Sequence, residues 1–241
     1  MIAKRGSAGR LMSIGILALL LGGCGPPATS ALTPPPQLPA SPTPPPHISA
    51  HNAQVVLEGV VLLRAIVVRV GQIAQADTLD CSDAALLQSL LGAELDLQDD
   101  GSSPENWQTE YERARSGVGQ SVERLAVGCA GGTLKPDWYG MAAGEIPRLR
   151  SLRESALAGL DIQPQATSVL PNVAAGLYGK PAVLPFAELP AGDEVELFYA
   201  ADAEDGRWCL VRPVEEQEMM GWVECKSLVR SISCSPWPSA A

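Results

Sequence analysis

A nucleophilic site of the Ser/His/Asp or Cys/His kind needs a positioned imidazole. This chain has two histidines, His47 and His51, both at the edge of a proline-rich stretch. The chemistry left to consider belongs to carboxylates: Glu110 with Glu112, Glu145, or Glu188 with Asp193 are the residue types that share acid and base roles in glycoside cleavage. Acidic side chains are abundant along the whole chain, so solvated surface is the simpler account of these. Asp96-Leu97-Gln98-Asp99-Asp100-Gly101 has the outline of a calcium loop, but Gln98 stands third and Trp107 twelfth, where a bidentate Glu is required. There is no Gly-rich phosphate loop and no Cys-x-x-Cys pair. The expectation is a chain with no catalytic residue, no metal and no cofactor. Recognition through aromatics remains: Tyr178, Phe186, Tyr199, Trp208 and Trp222 are concentrated in one stretch and are the candidate ligand-binding residues, Tyr178 first among them, with Trp208 and Trp222 equally readable as core residues.

The elements that must position these groups begin late. The chain has 241 residues, 46% of them hydrophobic, enough for one large domain or two small ones. Its net charge of −10 repels phosphate backbones and excludes a general nucleic-acid binder. Lys4, Arg5 and Arg10 precede an apolar run from Leu11 to Leu21, a positively charged leader of secretory type that is too short for a membrane span. Ten of the 21 prolines then fall between Gly25 and Ile48. Proline fixes φ and removes donors, so this stretch reads as an extended spacer with a reach of roughly 70 Å at about 3.1 Å per residue. A PxxP ligand is the lesser reading of it.

From Ala50 to about Leu160 the pattern is helical. In the first segment Gln54, Glu58, Arg69 and Gln72 recur at helical spacing and nearly everything else is apolar, which predicts a central helix. Glu58 and Arg64 interrupt its apolar stretch and argue against a second membrane segment. Ser82 or Asp83 is placed to cap a second helix running to about Leu97, and Asp99 to Pro104 reads as a turn. On a third helix Trp107, Tyr111, Val118, Val122, Leu125 and Cys129 share one face, with Glu112, Arg113, Ser116, Gln120, Glu123 and Arg124 largely opposite. Asp137 to Ala143 predicts one short helical turn, and Pro147 opens a last helix whose apolar face is Leu149, Leu152, Ala156 and Leu160. These add up to a four- or five-helix bundle.

The apolar run ends in Leu21-Gly22-Gly23-Cys24, which resembles the lipobox of bacterial lipoproteins: small residues before a Cys whose thiol takes a diacylglycerol before cleavage. That resemblance implies that Cys24 is lipidated and becomes the mature N-terminus, anchored at the extracytoplasmic face of the cell membrane or outer membrane. Loss of Lys4, Arg5 and Arg10 with the leader would leave 14 basic against 27 acidic residues, a net −13, which disfavours further contact with anionic head groups.

After Gln163-Pro164-Gln165 the pattern changes to short strands separated by turn residues. The Pro-x-Gly-x-x-Val turn at Pro190 to Val195, Arg207-Trp208-Cys209-Leu210-Val211-Arg212 and Gly221-Trp222-Val223 resemble a bacterial SH3 domain over about Thr167 to Val229. Ala174 and Leu177 depart from the Arg and Pro usual near the start of that family. The resemblance implies a small β-barrel whose aromatics hold an extended peptide, commonly a peptidoglycan stem peptide, with Tyr178 in the segment of the ligand loop. The stretch is barrel-like on its alternation and short turns alone. The expected organisation is α+β: a leader at 1–23, a linker at 24–48, a helical domain at 49–163, an SH3-like barrel at 167–230 and a tail at 231–241.

With Cys24 lipidated, Cys81, Cys129, Cys209, Cys225 and Cys234 remain in an oxidising compartment. A hairpin with Val211 opposite Val223 sets Cys209 opposite Cys225, within disulfide reach. Cys81 and Cys129 are the natural pair in the helical part, with Cys234 left over. A Cys225 to Cys234 bridge is the competing arrangement. The leading expectation is a lipid-anchored envelope protein that binds wall peptide or a protein partner without catalysis. The alternatives are a wall-modifying enzyme using Glu110 or Glu145, and an assembly lipoprotein supporting a membrane complex.

Overall fold

Ser49 starts the central element: its hydroxyl accepts from the Asn52 N–H at 3.2 Å and caps helix α1 (Ala50–Gln75). The computed structural model describes residues 48–76, 81–99, 105–131, 138–170 and 172–229, all within one compact unit, Pro44–Ala241. The leader, Cys24, the linker up to His47 and Cys234 lie outside the described residues. Fourteen of the 26 residues of α1 are buried, so the helix is covered on nearly all sides, as its composition predicts. His51, expected at the linker edge, is instead the second residue of α1, half-buried, with no hydrogen-bond partner at Nε2. No helix of the described residues is long and apolar enough to cross a membrane.

Helix α2 (Ala84–Leu91) ends at Gly92, well short of Leu97. The residues after it run without helix because the buried Asn52 amide holds Gln98 by its backbone, donating to the Gln98 carbonyl and accepting from its N–H, both at 2.9 Å. Arg115 donates to the Leu91 carbonyl at 2.8 Å and so satisfies one of the acceptors that a helix end leaves open. Helix α3 (Glu105–Gly131) buries Tyr111, Val118, Val122 and Leu125 of the predicted face together with Ala114, while Trp107 and Cys129 are partly buried. Helix α4 (Trp138–Gly144) is the expected short piece, tied to α3 by the Ala142 N–H donating to the buried Ser121 hydroxyl at 2.9 Å. In α5 (Ile146–Leu160) Pro147 is in the first turn, and Leu149, Leu152, Ala156 and Leu160 are buried as their spacing requires.

The strands are β1 (Gln165–Ser168), β2 (Ala175–Lys180), β3 (Val183–Leu189), β4 (Glu194–Ala203), β5 (Gly206–Pro213) and β6 (Gly221–Glu224). They form one antiparallel sheet in the order β1-β4-β5-β6-β2-β3. The class is therefore α+β. The sequence leads to a closed barrel, whereas the described sheet is open, ending in β1 on one side and β3 on the other. The predicted Pro190 turn is present: Asp193 N–H donates to the Pro190 carbonyl at 3.2 Å, and Gly192 has φ +87°, which only glycine adopts without strain.

Helix α1 packs on α3, α4 and α5 and also on β2, β3 and β6. At Gly179 of β2 an added Cβ would lie 2.5 Å from the Ala65 Cβ, so sheet and helix approach as closely as two small residues allow. Residues of the helical segment and of the strands contribute to one hydrophobic core.

Both expected disulfides are present: Cys81–Cys129 and Cys209–Cys225. The register behind the second differs from the expected one. Cys209 is opposite Val223 and Val211 opposite Gly221, a shift of two. The end of β5 stays on β4, with Pro213 opposite Val195 and the Val214 N–H on the Glu194 carbonyl, so it leaves β6 early. An even shift keeps every side chain on its own face, and Cys225, just past β6, remains a diagonal neighbour of Cys209 at a Cα distance of 5.1 Å.

Candidate functional site

Four of the five candidate aromatics are core side chains: Phe186, Trp208 and Trp222 are 2% exposed and Tyr199 5%. Burial departs from the expectation that Phe186 and Tyr199 line a peptide groove, and for Trp208 and Trp222 it is the core alternative. Tyr199 donates its hydroxyl to Glu58 Oε1 on α1 at 3.0 Å and meets Trp222 edge to face at 5.5 Å. Burial, with the adjacent Glu58 charge and hydrogen bond adding to it, raises the Tyr199 pKa well above its usual value. Trp208 donates its indole N–H to Asp205 Oδ1 at 2.9 Å. Tyr178 is half-buried and edge to face with Trp208 at 5.1 Å.

The carboxylates named from sequence are mostly held by arginines. Arg148 donates to Glu110 Oε2 at 2.9 Å and to Glu145 Oε2, and Arg113 donates to Glu110 Oε1 at 2.5 Å. Glu112 is paired with Arg115 at 3.0 Å. The hydrogen bonds to Glu110 and Glu145 raise the Arg148 pKa, so the guanidinium stays charged and the carboxylates stay paired. The Glu110 and Arg148 pair lines an open groove of about 430 Å³ between α3 and α5, with Trp107 and Ser151 beside it. Glu188 and Asp193 line a second cleft, of about 360 Å³, with Glu194, Glu215 and Glu216. Like charges gathered in this way are a solvated acidic surface.

One cluster was not singled out from the sequence. Arg64 of α1, Arg150 and Arg153 of α5, and Glu218 and Met220 of the β5–β6 loop line a small cleft over an apolar floor that includes Val60 and Leu149. Arg150 Nε lies 3.0 Å from Glu218 Oε2, and Arg153 Nη2 lies 2.6 Å from Glu154 Oε1. Arg64 Nε is buried without a hydrogen-bond partner. Burial lowers the Arg64 pKa, Tyr139 and Glu218 oppose that shift, and Arg153 and Arg150 add to it. The signal available in the sequence was Arg64 itself, a cation in the middle of a stretch otherwise fit for a core.

No family model, no curated protein and no solved structure matches this chain.

Proposed function

We propose that this chain is a lipid-anchored extracytoplasmic protein that binds rather than catalyses, taking cell-wall peptide or an envelope protein partner through an SH3-like β part. The observation that carries the reading is the disulfide pair, Cys81–Cys129 and Cys209–Cys225, since such bonds persist in oxidising compartments. It agrees with the leader, the apolar run and Cys24 standing in lipoprotein order. The SH3-like reading is supported by the β4–β5–β6 meander and by the Val169–Leu228 bridge, with the Val229 N–H on the Ser168 carbonyl at 2.8 Å. That bridge draws the edge next to β1 toward the chain after β6 and curls the open sheet. The helices, with α1 at their centre, form the supporting bundle. The ion pairs of Glu110 and Glu145 favour binding over an acid–base role for those residues. Tyr178 is the ligand contact, because it is the one residue of the five that is not buried.

The anchor is tested by feeding cells a radioactive fatty acid: the wild-type chain carries label and Cys24→Ser does not, and label persisting on the variant removes the anchor. The binding half is tested with the chain from residue 24 onward carrying Cys24→Ser, mixed with purified sacculi. Retention that falls with Tyr178→Ala supports wall binding. No retention, together with a single crosslinked envelope protein in cells, replaces the wall with a protein partner.

A further inference from the structure

From the cleft between α1, α5 and the β5–β6 loop we infer a binding site for a carboxylate ligand, in which Glu218 of the same chain now occupies the ligand's place. The cleft stands out against the overall charge. A chain of net −10 sets Arg64, Arg150 and Arg153 around one space, with Glu218 the single acid among the lining residues. Arginines are the side chains suited to carboxylates, because the guanidinium offers several N–H donors in one plane.

Two features make the site incomplete as it stands. Arg64 Nε is buried and makes no hydrogen bond, so a donor already removed from water has no acceptor. The free space is about 10 Å³, the room of about one water, so a ligand carboxylate enters only by displacing Glu218. That displacement is easy. Glu218 and Arg150 are 44% and 54% exposed at their side chains, and exposed pairs of this kind contribute little. Glu218 also lies in the Val214–Met220 connection, outside any helix or strand.

The ligand class follows from the present occupant. Both oxygens of the Glu218 carboxylate approach Arg150 Nε, at 2.9 and 3.0 Å, so a carboxylate already shares that one donor at the cleft. The apolar floor of Val60, Val61, Ile146 and Leu149 suits the carbon next to such a group, as at the end of a peptide. The inference stands whether or not the chain binds the wall, because Tyr178 is not among the residues lining the cleft.

The test is a titration of the Cys24→Ser chain from residue 24 with N-acetylglycine, its amide and inorganic phosphate, read by amide NMR shifts of Leu149 and Met220. N-acetylglycine should give saturable shifts, the amide none, and Glu218→Gln should tighten binding about fivefold by removing the internal competitor. Arg150→Gln on the Glu218→Gln background should weaken it about fivefold or more, as should Arg64→Met. If Arg64→Met does not fold, the exposed Arg150→Gln decides alone. No saturable shift in folded Glu218→Gln, or unchanged affinity in Arg150→Gln, overturns the site. Phosphate binding as tightly as N-acetylglycine overturns its assignment to carboxylates.

Discussion

Helices α1 and α3 have nearly the same length, 26 and 27 residues, and opposite ways of treating their polar groups. On α3 several charged side chains find partners one turn away, Glu110 with Arg113 and Glu112 with Arg115, at exposures that leave them wet. On α1 the polar side chains reach far along the chain: Asn52 to Gln98, Glu58 to Tyr199, Arg69 to Asp83 and Gln72 to the Phe186 carbonyl. A helix buried on most sides leaves few polar groups to water, and these four become links to other elements. The lesson is that the polar residues of α1 bind helices and sheet together, while those of α3 mainly keep its outer face in solvent.

The largest effect should come from the apolar side of that contrast. Leu57→Ala on α1, at a site with no exposure, should cost about 3–5 kcal/mol in denaturant unfolding, whereas Val127→Ala on α3, at 67% exposure, should stay within about 0.5 kcal/mol. Equal losses at the two sites would erase the distinction. Next is the close approach of α1 and β2. Gly179→Ala pushes a methyl onto Ala65 and should destabilise by about 2–3 kcal/mol; pairing it with Ala65→Gly should recover part of that loss, which a double-mutant cycle measures.

The third prediction concerns pH. Burial lifts the Tyr111 pKa from 10.0 to about 12, with Arg115 opposing and Glu112 adding, and Tyr199 is raised by burial and Glu58. A phenol whose folded pKa lies above its unfolded one favours the fold fully below pH 10 and loses that contribution as pH rises through the folded value. Unfolding free energy should therefore fall by on the order of 2 kcal/mol between pH 10 and 12, and Tyr111→Phe should flatten that fall. A fall of the same steepness in Tyr111→Phe would remove Tyr111 from the explanation. The smallest effect is on the wet face of α3: Arg113→Ala, in a pair with side chains 62% and 39% exposed, should change stability by less than about 1 kcal/mol and less still in high salt.

The contrast also marks where sequence reading reached. The buried face of α3 and the last helix after Pro147 were legible because an apolar repeat of 3.6 is a local property. The turn at Pro190–Asp193 was legible because Gly192 sits where φ must be positive. The early end of α2 was not, since it depends on Asn52, 46 positions away from Gln98. Nor was the burial of Phe186 and Tyr199, because an aromatic in a strand looks the same whether its face meets water or the core, and for Trp208 and Trp222 the sequence left both readings open.

Residue order alone indicated the helical part, the strand-rich part and Cys81–Cys129 with Cys209–Cys225 as the leading cysteine pairs; these follow from period, turn chemistry and an alternation that a shift of two does not disturb. Packing in three dimensions settled that α1 serves the sheet as well as the other helices, that Phe186, Tyr199 and both strand tryptophans are core, and that Arg64, Arg150, Arg153 and Glu218 line one cleft. Those outcomes depend on which surfaces meet, and contacts between distant segments leave no period in the sequence to be read.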